Sequence, residues 1–301
     1  MVTQFQLEWG IDASNAGMLV KEFLKVKEIS RSALTDIKFN GGHILVNNEE
    51  VNVRYKLLDG DNLRIIFPPE SPSEGLKGEE IPLEILFEDD YLLVVNKPAG
   101  INTIPSREHP DGSLANALVG YYENKGIQAT SHIVTRLDRD TSGIVLIAKH
   151  RHVHHLFSLM QRSGRVKRTY EAFAGGSVME DKGTITAPIG RKMDSIIERE
   201  VRDDGQYACT HFEVIGRHPS FTRIELNLET GRTHQIRVHL SYIGHPLLGD
   251  DLYGGETSLI ERQALHCKKI KFTHPFSHET MSFTALLPGD MQDILKAVPH
   301  L

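Results

Sequence analysis

Polar and apolar positions change period several times along the chain, and each change predicts an element. Leu19, Phe23, Leu24 and Val26 recur at helical spacing, and Ser30 stands where it would cap a second helix over Arg31–Phe39. A Gly41-Gly42 turn follows, then strands near 44–46 and 63–67. Over residues 68–82 the apolar period gives way to Pro, Gly, Ser and Glu, the composition of a linker. Beyond it, 91–96 and 144–148 are nearly continuous apolar runs, as in strands buried on both faces. Phe221–Leu228 instead alternates, with Ile224, Leu226 and Leu228 on one face. Val153, Leu156, Phe157 and Met160 mark a helix stripe, which puts His152, His154 and His155 largely on its other faces, exposed. The pattern divides the chain into a small unit over 1–67, a linker over 68–82 and one strand-rich α+β domain over 83–301.

Composition changes this picture in three ways. The chain has 301 residues and 40% hydrophobic content, enough for a core and for two domains at about 150 residues each. No run approaches the ~18–20 apolar residues of a membrane helix, and MVTQFQLEWG lacks the basic start and apolar core of a signal peptide, so the expected location is the cytoplasm. Cys209 and Cys267 are the only cysteines and belong to no disulfide or metal motif.

A net charge of -6 argues against a polyanionic partner until it is located. Residues 68–111 hold ten acidic and three basic side chains, more than the whole excess. Residues 149–168 hold Lys149, Arg151, Arg162, Arg165, Lys167 and Arg168 with no acid. A local basic stripe of this kind suits RNA even on a mildly acidic protein.

The densest chemistry lies in VTRLDRDTSG (134–143) and GRTHQIR (231–237). Asp138 sits between two arginines just before a buried strand. A carboxylate there is paired, caps a turn or does chemistry, because lone ionised carboxylates are costly to bury. Arg232, His234, Gln235 and Arg237 supply donors to pair it or to grip phosphates. His150 and His154 share helical i, i+4 spacing, but the zinc pattern with an adjacent glutamate is missing, so no metal site is expected. Gly175-Gly176, Gly254-Gly255 and NKPAG (96–100) lack a P-loop lysine context, which disfavours a nucleotide cofactor. NKPAG reads as a turn bordering a cleft.

At these residues the chain resembles the RluA-type pseudouridine synthases, whose signature is His-Arg-Leu-Asp, two variable residues, then Thr-Ser-Gly. Arg136, Leu137, Asp138, Thr141, Ser142 and Gly143 match, whereas Thr135 stands in the place of the histidine. The resemblance extends to VVNKPAGI (94–101), VKRTY ending at Tyr170, GRTHQIRVHLSYIGHPLLGD (231–250) and RQALHCKKIKFTHP (262–275). The N-terminal order of helix, Ser-Arg-Ser helix, turn, Val-Asn strand and Gly-Asp resembles an S4-type RNA-binding domain. Ile29, Ser30, Arg31, Ser32, Ile37, Gly42, Ile44, Val46, Asn47, Gly60 and Asp61 carry that likeness.

The resemblance implies a mixed, largely antiparallel sheet with a central cleft, preceded by a small α/β S4-like domain. It implies an RNA uridine-to-pseudouridine isomerase with Asp138 as the catalytic aspartate and Tyr170 packing on the flipped base. It makes Arg237 the ion-pair partner that directs Asp138, and Arg136, Arg232 and Gln235 substrate-side residues. In the S4-like unit, Arg31 and Lys38 would face phosphates. Moving the glycosidic bond from N1 to C5 involves no net redox change, so no cofactor is expected. Large-subunit ribosomal RNA is the favoured partner, with transfer RNA the alternative, and the architecture is compatible with a monomer. Two rivals stay open: a non-catalytic RNA-binding or ribosome-assembly protein, which Thr135 leaves room for, and an Asp/His hydrolase using Asp138 with His234 or His239. Threonine neither accepts a proton near neutral pH nor spans the reach of histidine, so target choice and rate are what the substitution bears on.

Overall fold

Ser30 opens its helix as the sequence predicts, its hydroxyl accepting from the Ala33 N–H at 3.1 Å. In the computed structural model, which describes residues 4–70, 75–127 and 129–298, the N-terminal unit runs β1 (Gln6–Gly10), α1 (Val20–Val26), α2 (Arg31–Phe39), β2 (His43–Val46), β3 (Glu49–Glu50) and β4 (Asn62–Ile66). Its sheet has the order β1-β4-β2-β3 and is antiparallel throughout. β1 was not among the predicted strands; its five residues give only a brief alternation, and pairing with β4 is what makes it a strand. Val20, Phe23, Leu24, Ile37, Leu63 and Ile65 fill a core of this unit's own, while Val26 is exposed.

The larger unit contains β5 (Glu84–Glu88), β6 (Leu92–Lys97), α3 (Leu114–Lys125), β7 (His132–Ile133), β8 (Ser142–Ala148), α4 (Arg151–Arg162), β9 (Lys167–Gly175) and β10 (Lys182–Thr186). It continues with β11 (Ile189–Arg191), β12 (Arg199–Val201), β13 (Cys209–Arg217), β14 (Phe221–Leu228), α5 (Gln235–Tyr242), β15 (Leu265–Thr273), β16 (Thr280–Thr284) and α6 (Gly289–Ala297). The ten-stranded sheet has the order β10-β13-β14-β9-β15-β8-β6-β5, with β7 added on β8 and β16 on β15. Among the described residues, only the β15–β8 pairing of this sheet is parallel. The continuous apolar runs are its middle strands: Leu92 to Val95 and Ile144 to Ala148 are at most 1% exposed.

The parallel pairing positions the Thr-Ser-Gly turn. Ser142 lies opposite His266 and Gly143 opposite Cys267. Gly143 has φ +117°, and a Cβ there would stand 2.4 Å from the Cys267 carbonyl oxygen. Only glycine allows both that backbone conformation and that approach.

Of the stretch 68–82, residues 71–74 lie outside the described residues, and the described part makes side-chain bonds to the larger unit. The Asn116 side chain of α3 donates to the Lys77 carbonyl at 3.0 Å, and the Glu79 carboxylate accepts from the Gly112 N–H at 2.8 Å. This stretch is strapped to the larger unit.

The histidines of α4 depart from expectation. His150 and His152 are 4% and 2% exposed. His150 caps α4, accepting from the His152 N–H, and stacks on Phe5 at 4.0 Å, while His152 stacks on Phe67 at 5.5 Å. Glu70 pairs with His132 at 2.5 Å, with Arg151 at 3.1 Å and with His150 at 3.2 Å, and Arg151 also reaches Asp36 at 2.6 Å. The N-terminal end of α4, beside the apolar stripe, is therefore where the N-terminal unit docks. Periodicity identifies one buried face of a helix and says nothing about a second.

Candidate active site

Asp138 follows β7 in a loop that is tied down residue by residue. The Thr103 hydroxyl donates to the Leu137 carbonyl at 2.6 Å and accepts from the Leu137 N–H at 3.1 Å. The Lys97 ammonium donates to the carbonyls of Pro98, Ile101 and Arg139 at 2.8, 2.9 and 3.0 Å. Arg262 donates to the Asp140 carbonyl, the Gln263 amide to Thr141, and Ser142 bonds to His266. The carboxylate of Asp138 stays a quarter exposed and faces an open cleft of about 420 Å³.

The cleft is lined by Arg136, Asp138, Arg168, Tyr170, Arg232, His234, Gln235 and Arg237, with Leu137, Leu228, Ile236 and Leu265 as its apolar floor. With Thr141 and Gly231, four of the lining residues come from the first motif and six from the second, which the sheet brings together across about a hundred residues of chain. Arg136 and Arg232 are exposed at the mouth. Tyr170, on β9, is 4% exposed and accepts from Arg168 at 2.9 Å. Burial pushes its hydroxyl well above the ordinary phenol value despite the nearby Arg168 charge, so it is a neutral phenol at physiological pH.

Arg237 differs in detail from the sequence reading. Its two-pronged bond goes to Asp250, with Nε–Oδ2 and Nη2–Oδ1 both 2.7 Å, and only Nη1 turns to Asp138, at 3.5 Å. Burial opposes the Arg237 charge, but the buried Asp250 carboxylate more than offsets it and raises the pKa above the ordinary value. Asp250 thus aims the guanidinium, and Asp138 receives a single longer contact that leaves most of its acceptor capacity unused. His234 stands at 3.9 Å from the same carboxylate oxygen and bonds Tyr253 at 2.8 Å; burial pushes it below the ordinary histidine value. The Arg237 guanidinium also lies 5.0 Å from the Tyr253 ring centroid.

Gln235 lines the cleft but spends its amide internally. Its oxygen accepts from Thr230 and from the Arg232 N–H, and its nitrogen donates to the Cys209 carbonyl and to Thr210. It shapes the 231–237 segment. His239, the other hydrolase candidate, is fully buried against Thr210 and Ala187, away from Asp138.

Thr135 is 1% exposed, and its hydroxyl accepts from the Leu146 N–H at 2.9 Å. It braces the loop from beneath and does not enter the cleft. In the basic stripe, Lys149 is paired with Glu88 and Arg151 with Asp36 and Glu70, whereas Arg162, Arg165 and Lys167 are exposed and Arg168 turns into the cleft. Arg31 and Lys38 are exposed on α2.

Lys97, Arg168, Asp250 and Tyr253 are site residues that the sequence reading did not assign. Lys97, Arg168 and Asp250 lie inside the motif segments NKPAG, VKRTY and GRTHQIRVHLSYIGHPLLGD, so the signal was present. What was missing was the direction in which each side chain points.

Residues 91–242 match the profile of a family described as RNA pseudouridylate synthase. YjbO of Bacillus subtilis (strain 168), described as an uncharacterized RNA pseudouridine synthase, is 53% identical over 283 residues, spanning 94% of this chain and all of that protein. A protein of Neisseria meningitidis named ribosomal large subunit pseudouridine synthase D is 37% identical over 90% of this chain and 75% of its own length. Its namesake in Xanthomonas campestris is 35% identical over 90% of this chain and 85% of its own length. Among solved structures, human RNA pseudouridylate synthase domain containing 1 superposes with a TM-score of 0.61 at 23% identity, over 74% of this chain and 91% of that one.

Proposed function

The chain belongs to the RNA pseudouridylate synthase family and is an RNA pseudouridine synthase of that fold; from this premise we propose that it isomerises specific uridines in large-subunit ribosomal RNA, with Asp138 as the catalytic carboxylate. The observation that carries the assignment is the position of Asp138: a partly exposed carboxylate on a rigid loop, facing a cleft it shares with Tyr170 and Arg237. A flipped uracil loses its stacking partners, and an aromatic face in the pocket restores about 1–3 kcal/mol of that loss. Tyr170 supplies the ring, and its neutral hydroxyl is held by Arg168. Asp138 then assists departure of N1 and its replacement by C5, by attack on the base, by attack on the anomeric carbon, or by promoting a glycal. Arg136 and Arg232 at the mouth meet the flanking phosphates.

Ribosomal RNA is favoured over transfer RNA because the relatives from Neisseria meningitidis and Xanthomonas campestris are named for the large ribosomal subunit. We assign residues 1–67 to an S4-like module and 83–301 to the catalytic domain. Separate apolar cores support the division, and the outward Arg31 and Lys38 of α2 support a phosphate-facing role. Among the described residues, no helix is long and apolar enough to cross a membrane, in keeping with a cytoplasmic enzyme. The non-catalytic rival drew its strength from Thr135. That residue's burial beneath the loop, with Asp138, Tyr170 and Arg237 together in the cleft, weakens it.

The test is tritium release from RNA labelled at C5 of uridine, with transcribed ribosomal and transfer RNAs and immature ribosomal particles as substrates. Wild type should release tritium from ribosomal RNA, while Asp138→Asn should release none and still bind it. Release by Asp138→Asn would remove the carboxylate from the chemistry. Release from transfer RNA alone would reassign the substrate.

A further inference from the structure

The register of the sheet gathers a second group of chemically competent side chains outside the cleft. Cys209 and His211 are two residues apart on β13 and so share a face. Thr210 pairs with Leu228, which sets Glu229, just past the end of β14, opposite Cys209. Thr184 and Thr186 of β10 pair with His211 and Cys209. Opposite residues of antiparallel strands point the same way, so all five side chains converge on one side of the sheet.

One donor atom each from Cys209, His211 and Glu229 lie within 4.8 Å of one another. The His211 Nε2 is 3.8 Å from the Cys209 sulfur and 2.8 Å from the Glu229 Oε1. Each donor is oriented by a hydroxyl: Thr184 on the His211 Nδ1 at 2.9 Å, Thr186 on the Cys209 sulfur at 3.6 Å, and Tyr207 on the other Glu229 oxygen at 3.2 Å.

We propose that Cys209, His211 and Glu229 form a binding site for a divalent transition metal of the zinc class. Tetrahedral zinc–ligand distances place sulfur and nitrogen about 3.6 Å apart and nitrogen and oxygen about 3.3 Å apart. The separations found differ from these by a few tenths of an ångström, within reach of side-chain rotation. A thiolate, an imidazole and a carboxylate suit a borderline ion such as zinc better than magnesium or calcium. Partners that fix the non-ligating atoms are what metal sites use to orient their ligands. An exposed His–Glu ion pair would account for the 2.8 Å contact alone. It gives no reason for a buried thiol to face the same imidazole nitrogen, or for a separate hydroxyl to orient each of the three groups.

Binding would displace the thiol proton of Cys209 and the proton on the His211 Nε2. The site adjoins the cleft without lining it. The Cys209 carbonyl accepts from Gln235 and its N–H donates to Thr230, so the ion would brace the start of the 231–237 segment. It would thereby steady the cleft wall that carries Arg232 and Arg237.

The full chain, stripped with chelator, is titrated with cobalt(II) as a spectroscopic probe and then with zinc. One equivalent of cobalt should give a thiolate-to-metal charge-transfer band that zinc abolishes. Cys209→Ser should lack the band, and His211→Ala and Glu229→Gln should each weaken cobalt affinity by roughly 10-fold or more. His211 and Glu229 are partly exposed, so these two variants should fold, which circular dichroism checks. The other thiol, Cys267, is fully buried and pushed up to about 11 by burial, and does not compete. Absence of the band in wild type, or unchanged affinity in His211→Ala and Glu229→Gln, would overturn the proposal.

Discussion

Asp250→Asn tests whether the buried fork aims Arg237. Asp250 is 1% exposed and makes both of the 2.7 Å bonds to the guanidinium. Asparagine keeps the shape but offers one acceptor and turns an N–H₂ toward the other prong. Breaking one side of a buried pair typically costs about 3–5 kcal/mol, and the retained acceptor points to the lower end, about 3 kcal/mol. That is a sizeable share of a total stability of about 5–15 kcal/mol.

The freed guanidinium then has Asp138, 3.5 Å away, as its nearest counter-charge. Closing that contact to the 2.7 Å now made with Asp250 would deepen their attraction, at an effective dielectric of about 20, from about 5 to about 6 kcal/mol. Asp138 is a quarter exposed, so solvent screening reduces the gain to about 1 kcal/mol or less. On the proposed role of Asp138, a carboxylate held that much more tightly reacts more slowly. Single-turnover tritium release should fall up to about 5-fold, at about 1.4 kcal/mol per tenfold, with RNA affinity nearly unchanged. Urea unfolding should show the lost stability in parallel. A variant with wild-type stability and rate would refute the reasoning, because Arg237 would then be aimed by something other than Asp250.

Two further outcomes follow from buried titratable groups. In Lys97→Met three carbonyls lose their shared donor, loosening the loop that carries Asp138. Burial pushes the Lys97 ammonium down to about 8 from 10.5, so between those pH values the unfolded chain binds more protons and stability rises with pH, by roughly 3 kcal/mol in all. The variant should lack that rise; an equal change in unfolding free energy between pH 7.5 and pH 10 in wild type and variant, measured by urea unfolding, would sink the idea. Burial likewise pushes His152 down to about 4 from 6.5, so as pH falls from 6.5 the unfolded chain protonates first and stability declines, by about 2 kcal/mol at pH 5. His152→Phe keeps the stack on Phe67 and should be less sensitive to acid by that amount, measured as the change in unfolding free energy between pH 7.5 and pH 5.

What the sequence determined by itself was local or carried by a contiguous motif. The Ser30 cap, the apolar runs of β6 and β8 and the alternation of β14 are visible because burial on one face or two imposes a period on neighbouring residues. Asp138, Tyr170 and Arg237 could be singled out by motif, and all three line one cleft. Tertiary structure decided how each is held and which polar residues serve packing. Asp250 takes the two-pronged bond of Arg237, which the sequence reading paired with Asp138 alone, Thr135 turns beneath its loop, and Gln235 satisfies backbone and hydroxyl partners. His150 and His152 face the N-terminal unit, and Cys209 meets Glu229 through strand register. The reason is physical: a polar side chain satisfies its hydrogen bonds with whichever partner the fold brings near, often from a strand a hundred residues away. No period along the chain encodes that partner.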